Sequence, residues 1–382
     1  MTDSIILTNA KIVLPTEVIC GTVEVRSGAI TDVQRGRSNQ PSAIDFDGDY
    51  MLPGIVELHT DNFERHMNPR PNVRWPSRDA VIAHDAQIAS AGITTVFDAI
   101  SIGDLFEHSP RIKFLDEMVD AIREARLDGA LRAEHMLHLR CELTFARVVE
   151  ALERLSAGPL VNLVSIMDHS PGQRQFADIA KYRAYYKGKH GLDDASLDDL
   201  TRRHIDIHHR LAATHRRKLV EICNRRHIPM ASHDDETEAH VEEAASEGMA
   251  ISEFPTTVAA ARTARKKGMK ILMGAPNVVL GGSQSGNISA RTLHDLGLLD
   301  LLSSDYVPSS LVQAAFKLAR EPGMHAVSLP EAVSKITLAP AHAAGLNDRG
   351  EITPGKRADL VRVHFARQPT VRCVWRAGVR II

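Results

Sequence analysis

One repeat constrains this chain more than any other feature. Through its middle, short apolar segments that close on polar residues alternate with amphipathic stretches. The apolar segments end at ELHTD (57–61), TTVFDA (94–99), HLRCE (138–142), VSIMDH (164–169), PMASHDD (229–235), ISEFPT (251–256), ILMGAPN (271–277) and LLSSDY (301–306). Strands that are apolar on both faces belong in a parallel sheet covered by helices. Helical stretches such as ARVVEALERL (146–155) and EAHVEEAASEG (238–248) fall between successive strands, where parallel connections need them. Eight such strands are the number that closes a TIM-like (β/α)8 barrel, expected here over 53–349. A doubly wound open sheet is the alternative.

The two ends have a different texture. ILTNAKIV, GTVEVRSGAITDV with a turn at Ser27-Gly28, and IDFDGDY read as short strands, and ADLVRVHF (358–365) and VRCVWRAGVRII (371–382) repeat the pattern at the other end. Residues 1–52 and 350–382 are therefore expected to pair into one small, discontinuous β-domain. With 43% hydrophobic and 25% charged residues, the 382-residue chain can bury a large core and falls outside the disordered and fibrous classes. A formal net charge of −2 creates no field toward nucleic acid or an anionic membrane, so neither is expected as a partner. Cys20, Cys141, Cys223 and Cys373 form no C-x-x-C pair and read as reduced thiols. The opening MTDSIILTNAKIVLP lacks a secretory apolar core, and a cytoplasmic location is expected. Oligomeric state, a homo-oligomer included, stays open.

Residues 170–228 are too long for a simple connection and hold Phe176, Tyr182, Tyr185 and Tyr186 among many charges. A loop this long at the C-terminal face of a barrel reads as a lid over the substrate, the other reading being a helical surface excursion. His204, His208, His209 and His215 stand among Arg and Lys and read as a solvated face.

His59, Asp61, Glu142, His169, His233 and Asp305 each stand near the C-terminal end of an apolar strand, where barrels place catalytic groups. A single such His is more often a hydrogen-bonded structural residue; recurrence at several strand ends is what points to a site. His59 and Asp61 share a strand face because the strand period is two, and imidazole with carboxylate suits a divalent metal: zinc, with manganese or iron also compatible. In HLRCE, His138, Arg140 and Glu142 share one face, Glu142 nearest the open end. Asp305 is the candidate general base, with plain metal ligation as its rival role. The glycine-rich stretch GAPNVVLGGSQSGN (274–287), with Gly281, Gly282 and Gly286, offers backbone N–H groups to an anion, and Arg70, Arg74, Arg140 and Arg174 lie near presumed site loops. Flexible turns and surface arginines would produce the same pattern.

From ILTNAKIV through MLPGIVELHTD to RGEITPGKRADLVRV, the chain resembles the amidohydrolase superfamily. Within it, ELHTDN, NPRPNVRWP, AEHMLHLRCE, MDHSPGQRQF, ASHDDE, EFPTT, MGAPNVVLGGSQSGN and SSDYVPSSL resemble the α-D-ribose 1-methylphosphonate 5-triphosphate diphosphatases of the carbon–phosphorus lyase pathway. The resemblance implies a phosphorylated ribose substrate cleaved to diphosphate and ribose 1-methylphosphonate 5-phosphate. It also implies His59, Asp61, His169 and His233 as metal ligands, Glu142 as bridging carboxylate and Asp305 as the last-strand aspartate. Where the superfamily commonly has His-x-His and a carboxylated lysine, this chain has His-x-Asp and no strand-end lysine, which leaves one or two ions open. The rival readings are an amidohydrolase of amides or cyclic imides and a non-catalytic scaffold; the latter would be free to lose its ligands, and this chain keeps them.

Overall fold

The computed structural model describes residues 4–71, 73–104, 106, 109–283, 286–321 and 323–382. The N-terminal segment forms β1 (Ser4–Val13), β2 (Val18–Arg26), β3 (Ala29–Arg35), β4 (Ile44–Asp45) and β5 (Tyr50–Pro53). Then come β6 (Ile55–Thr60), β7 (Ile93–Ile102), β8 (Glu134–Glu142), β9 (Val161–Met167), β10 (Met230–His233), β11 (Ile251–Glu253), β12 (Lys270–Gly274) and β13 (Leu301–Ser303). The chain ends with β14 (Leu360–Phe365), β15 (Pro369–Arg376) and β16 (Val379–Arg380).

Strands β6 to β13 lie side by side in chain order and all parallel. The first and last meet through a Thr60–Asp305 bridge. There the Asp61 N–H donates to the Asp305 carbonyl at 2.9 Å and the Asp305 N–H to the His59 carbonyl at 3.1 Å. This seam makes the sheet a barrel rather than a doubly wound open sheet, and it places His59, Asp61 and Asp305 together. Val56, Leu58, Phe97, Met136, Leu163, Ala231, Ile251, Leu272 and Leu301 fill the barrel, so its interior is packed below the rim. A larger apolar layer, including Ile88, Val119, Leu152 and Leu219, binds strands to surrounding helices.

The second sheet runs β16-β15-β14-β5-β1-β2-β3, with β4 beside β1. The two chain ends join where β14 pairs antiparallel with β5, Leu360 opposite Pro53 and Val363 opposite Tyr50. Leu7, Ile12, Val23, Met51, Leu360 and Trp375 form its separate core, and Phe46 stacks on Trp375 at 5.6 Å. Gly54 links β5 to β6 at a close approach: a Cβ there would stand 2.3 Å from Thr94 Oγ1 and 2.6 Å from Asp359 Cβ.

Between β9 and β10 the chain forms a short turn of helix at Arg174–Phe176, a helix at Ile179–His190 and a 33-residue helix at Asp194–Arg226. Asp178 and Asp193 cap the two longer helices by accepting from the N–H groups of Ala180 and Ser196. The long helix buries His215, Leu219, Ile222 and Cys223, a spacing of four, three and one that defines a single helical stripe. That part is the ordinary covering helix of the barrel, and the remainder extends N-terminally to bring Leu197 against Phe176, Tyr182 and Tyr186. The expected solvated histidine face is corrected here. His215 is buried and donates from Nδ1 to the Leu143 carbonyl at 2.8 Å; His208 Nδ1 stands 2.8 Å from Asp168; His204 lines the cavity described below. Of the four, His209 alone stays exposed. A helix this long presents one side to the barrel along its length, so Arg and Lys neighbours in sequence say little about which way a given His turns. Among the described residues, no helix is long and apolar enough to cross a membrane.

Candidate metal centre

A cavity of about 390 Å³ opens at the C-terminal rim of the barrel, and His59, Asp61, Arg140, Glu142, His169, His233, Asp234 and Asp305 line it. His59 lies near the end of β6, and His233 is the last residue of β10. Both rings are fixed by one carboxylate: His59 Nδ1–H donates to Glu253 Oε1 and His233 Nδ1–H to Glu253 Oε2, each at 2.7 Å. Glu253 closes β11 and is wholly buried. Two further carboxylates accept at the edges of the site, one from a ring and one from the backbone. His169 Nδ1–H donates to Glu142 Oε2 at 2.7 Å, and the backbone N–H of His59 donates to Glu57 Oε1 at 2.7 Å. Glu57 also accepts from the Ser304 N–H at 2.6 Å, tying β6 to the residue after β13; burial pushes its carboxyl up to about 7.

With each Nδ1 engaged, Nε2 of His59, His169 and His233 faces the cavity, where that of His233 also meets Arg140. His59 Nε2 lies 3.8 Å from Asp61 Oδ1. His169 Nε2 and His233 Nε2 lie 3.6 and 3.4 Å from Asp234 Oδ2. Within these two sets, His59–Asp61–Asp305 and His169–His233–Asp234, one donor atom from each residue lies within 4.8 Å of the others. Imidazole nitrogens and carboxylate oxygens, aimed inward and backed by carboxylates, fit a divalent cation. Between the sets lies a cationic side chain. Arg140 Nη1 donates to both Asp61 oxygens at 3.0 and 3.1 Å, and Nη2 to His233 Nε2 at 3.4 Å. Burial alone would raise the Asp61 carboxyl, but the charges of Arg140 and His59 hold it below its ordinary range. Asp305 is raised, chiefly by burial.

The residues expected from the sequence divide accordingly. His59, Asp61, His169, His233 and Asp305 converge. Glu142 lines the cavity, yet its carboxylate holds His169 Nδ1 and accepts from Thr144 Oγ1; it supports one imidazole instead of lying between the two sets. Arg140 is central. Arg70 is exposed and outside the cavity lining. Arg74 stacks over the Phe114 ring at 3.3 Å and pairs with Glu117 at 2.8 Å. Arg174 is buried against Asp235 and donates to the His233 carbonyl at 3.3 Å, so it braces the end of β10. Gly281, Gly282 and Gly286 stand outside the lining, to which their loop contributes Ser283 and Asn287; Gln284 and Ser285 of that stretch lie outside the described residues.

Three residues escape the sequence reading. Glu253 and Asp234 carry the same strand-end signal that singles out Glu142, in ISEFPT and SHDDE. Arg111 lines the cavity while gripped by Glu64 through Nε at 2.8 Å and Nη2 at 2.6 Å, and no sequence signal marks it. His138 also points inside the barrel: Nδ1–H donates to the Leu58 carbonyl at 2.9 Å, Nε2 has no hydrogen-bond partner, and burial pushes the ring down to about 3.

A closed parallel barrel with inward imidazole and carboxylate donors at its strand ends is the frame of a metal-dependent hydrolase. The sequence profile of the amidohydrolase family matches residues 86–382, and the chain belongs to that family. Over 377 residues, 98% of this chain and 100% of the relative, it is 47% identical to the alpha-D-ribose 1-methylphosphonate 5-triphosphate diphosphatase of Escherichia coli (strain K12). Its fold is shared by 5-methylcytosine deaminase from Klebsiella pneumoniae, with a TM-score of 0.65, 14% identity and coverage of 99% and 98% of the two chains. It is also shared by N-acetyl-D-glucosamine-6-phosphate deacetylase from Mycobacterium smegmatis, with a TM-score of 0.64, 13% identity and full coverage of both chains. At such identities the likeness concerns the fold alone.

Proposed function

We propose that this protein is a metal-dependent diphosphatase that hydrolyses α-D-ribose 1-methylphosphonate 5-triphosphate to diphosphate and α-D-ribose 1-methylphosphonate 5-phosphate. The observation that carries the reading is 47% identity along the whole length of the Escherichia coli diphosphatase. The polar, partly cationic cavity supports it: Arg140 and Arg111 supply guanidinium groups, and Asn277, Ser283 and Asn287 supply hydrogen-bonding side chains. An uncharged amide would need no such lining.

In this reading His59, Asp61 and Asp305 on one side and His169 and His233 on the other hold divalent metal, one ion or two, zinc by donor type with manganese or iron also compatible, and Glu142 and Glu253 orient imidazoles. When bound, the metal supplies positive charge that polarises a phosphoryl oxygen and makes water acidic enough to attack at neutral pH. Asp305 takes the proton of the attacking water, which approaches the α-phosphorus in line with the departing diphosphate. Arg140 and Arg111 face the charge that develops on the leaving oxygens. Phe176, Tyr185, Tyr186 and His204, all from the insertion, form the outer wall and restrict bulk water. A substrate this highly charged does not cross membranes unaided, and the reading puts the enzyme in the cytoplasm.

The test is to incubate the purified, metal-loaded protein with the triphosphate and follow products by phosphorus NMR. Diphosphate as the first inorganic product is expected. Orthophosphate as the first product, or an intact triphosphate beside rapid turnover of a cyclic amide, would overturn the proposal.

A further inference from the structure

A regular strand cannot turn both Leu58 and His59 inward. Val56 and Leu58 belong to the packed interior of the barrel, so strict alternation along β6 would carry His59 to the opposite face. The pairing of β6 with β7 shows where alternation breaks. Glu57 stands opposite Val96, but Thr60 stands opposite Asp98, so β6 has one residue more than β7 over this stretch. An extra residue in one strand is a β-bulge, uncommon between parallel strands, which bends the strand and re-aims a side chain. Here it brings His59 to the cavity beside Asp61.

Two side chains hold the peptide unit that joins Leu58 to His59. Its N–H donates to Glu57 Oε1 at 2.7 Å, and its carbonyl accepts from His138 Nδ1–H at 2.9 Å. A trans peptide is planar and points these groups in opposite directions, so the two bonds grip the unit from both sides. Strands β6 and β8 are not neighbours in the sheet; His138 reaches the carbonyl through the barrel interior, where it is wholly buried. Its ring also meets the His59 ring edge to face, with centroids 5.3 Å apart. The other nitrogen, Nε2, finds no hydrogen-bond partner among the described residues. Burying a polar atom in that condition costs stability, and an aliphatic side chain of like size would fill the space without it. What the imidazole adds at this position is the donor to the Leu58 carbonyl.

We propose that His138 is a positioning residue: its Nδ1–H fixes the bulged peptide before His59, and its ring packs against the His59 imidazole, so that His59 is held in its inward orientation. The proposal rests on the metal-dependent reading above but not on the identity of the substrate. Its test compares two variants of the full chain by competition for Mn²⁺ against a chelator, at a temperature where circular dichroism shows each to be folded. His138→Leu fills the space without a donor, and metal affinity should fall about 10- to 100-fold, the usual cost of losing a group that orients a ligand. His138→Asn places an amide N–H where Nδ1–H stands and should recover most of that loss, which a residue that merely fills volume would not do. Unchanged affinity in His138→Leu, or equal weakening in both variants, overturns the proposal; no Mn²⁺ bound by wild type overturns the metal-dependent reading with it. Should His138→Leu fail to fold, nitrogen-15 NMR of histidine-labelled wild type decides, the His138 signals being those lost in His138→Asn. A proton on Nδ1 and none on Nε2 is expected, and a proton on Nε2 alone overturns the proposal.

Discussion

Glu253 and Asp234 contact opposite nitrogens of His233, one at Nδ1 and one at Nε2. Glu253 carries the heavier structural burden because it serves two rings at once. Glu253→Gln replaces one acceptor oxygen with a donor, which faces an imidazole N–H and frees that ring to turn. Metal affinity should fall 10- to 100-fold, measured by competition with a chelator, while an unchanged affinity would show that the rings are held by packing alone. Asp305 is tested through kinetics. Asp305→Asn should lower kcat by ~100-fold or more at a KM near that of wild type, and a loss confined to KM would remove it from the chemistry. At this scale the sequence is informative about type and poor about pairing. Strand-end position singles out His59, His169, His233 and Asp305 because period two decides which side chains reach the rim. It does not say that Glu142 turns to His169, or that Arg174 is neutralised by Asp235, 61 residues away. The same rule marks Glu253 and Asp234, whose contacts with opposite nitrogens of His233 only the folded chain shows.

Strands and covering helices are the most legible elements, since a run apolar on both faces has few places to go. The long helix is less so, because burial of His215 and exposure of His209 depend on what lies beneath each turn. Least legible is a buried chain behind the site. The Asn62 side chain donates to His84 Nδ1 at 3.0 Å, and Asp98 accepts from His84 Nε2–H and His135 Nδ1–H at 2.7 Å each. It joins the helix Ser77–Ser90 to β7 and β8 and touches the residue following Asp61. Burial pushes His135 down, but the charge of Asp98 and the hydrogen bonds that the ring donates to Asp85 and Asp98 outweigh it and raise the ring to about 9. Asp98, against its own burial, is held at about 2 by His135 and His84. A His raised in the folded state contributes stability in full below its ordinary value of 6.5, and loses it as pH rises through 9. Asp98 contributes fully above 3.8 and loses its share as pH falls through 2. The wild-type melting temperature should therefore decline between pH 6.5 and 9 more steeply than that of His135→Gln. Parallel declines would place the charge of His135 elsewhere.

For the whole molecule, the terminal sheet and the barrel meet through β5 and β6, and barrel closure at Thr60–Asp305 brings the first and last strands to one cavity. Under the proposed function, water activated in this cavity attacks the α-phosphorus of a ribose 5-triphosphate. The direct measurement is turnover of ribose 1-methylphosphonate 5-triphosphate in oxygen-18 water, with phosphorus NMR of both products. The isotope shift is expected on the ribose 5-phosphate, with unlabelled diphosphate; label in the diphosphate would mean attack at the β-phosphorus and overturn this chemistry.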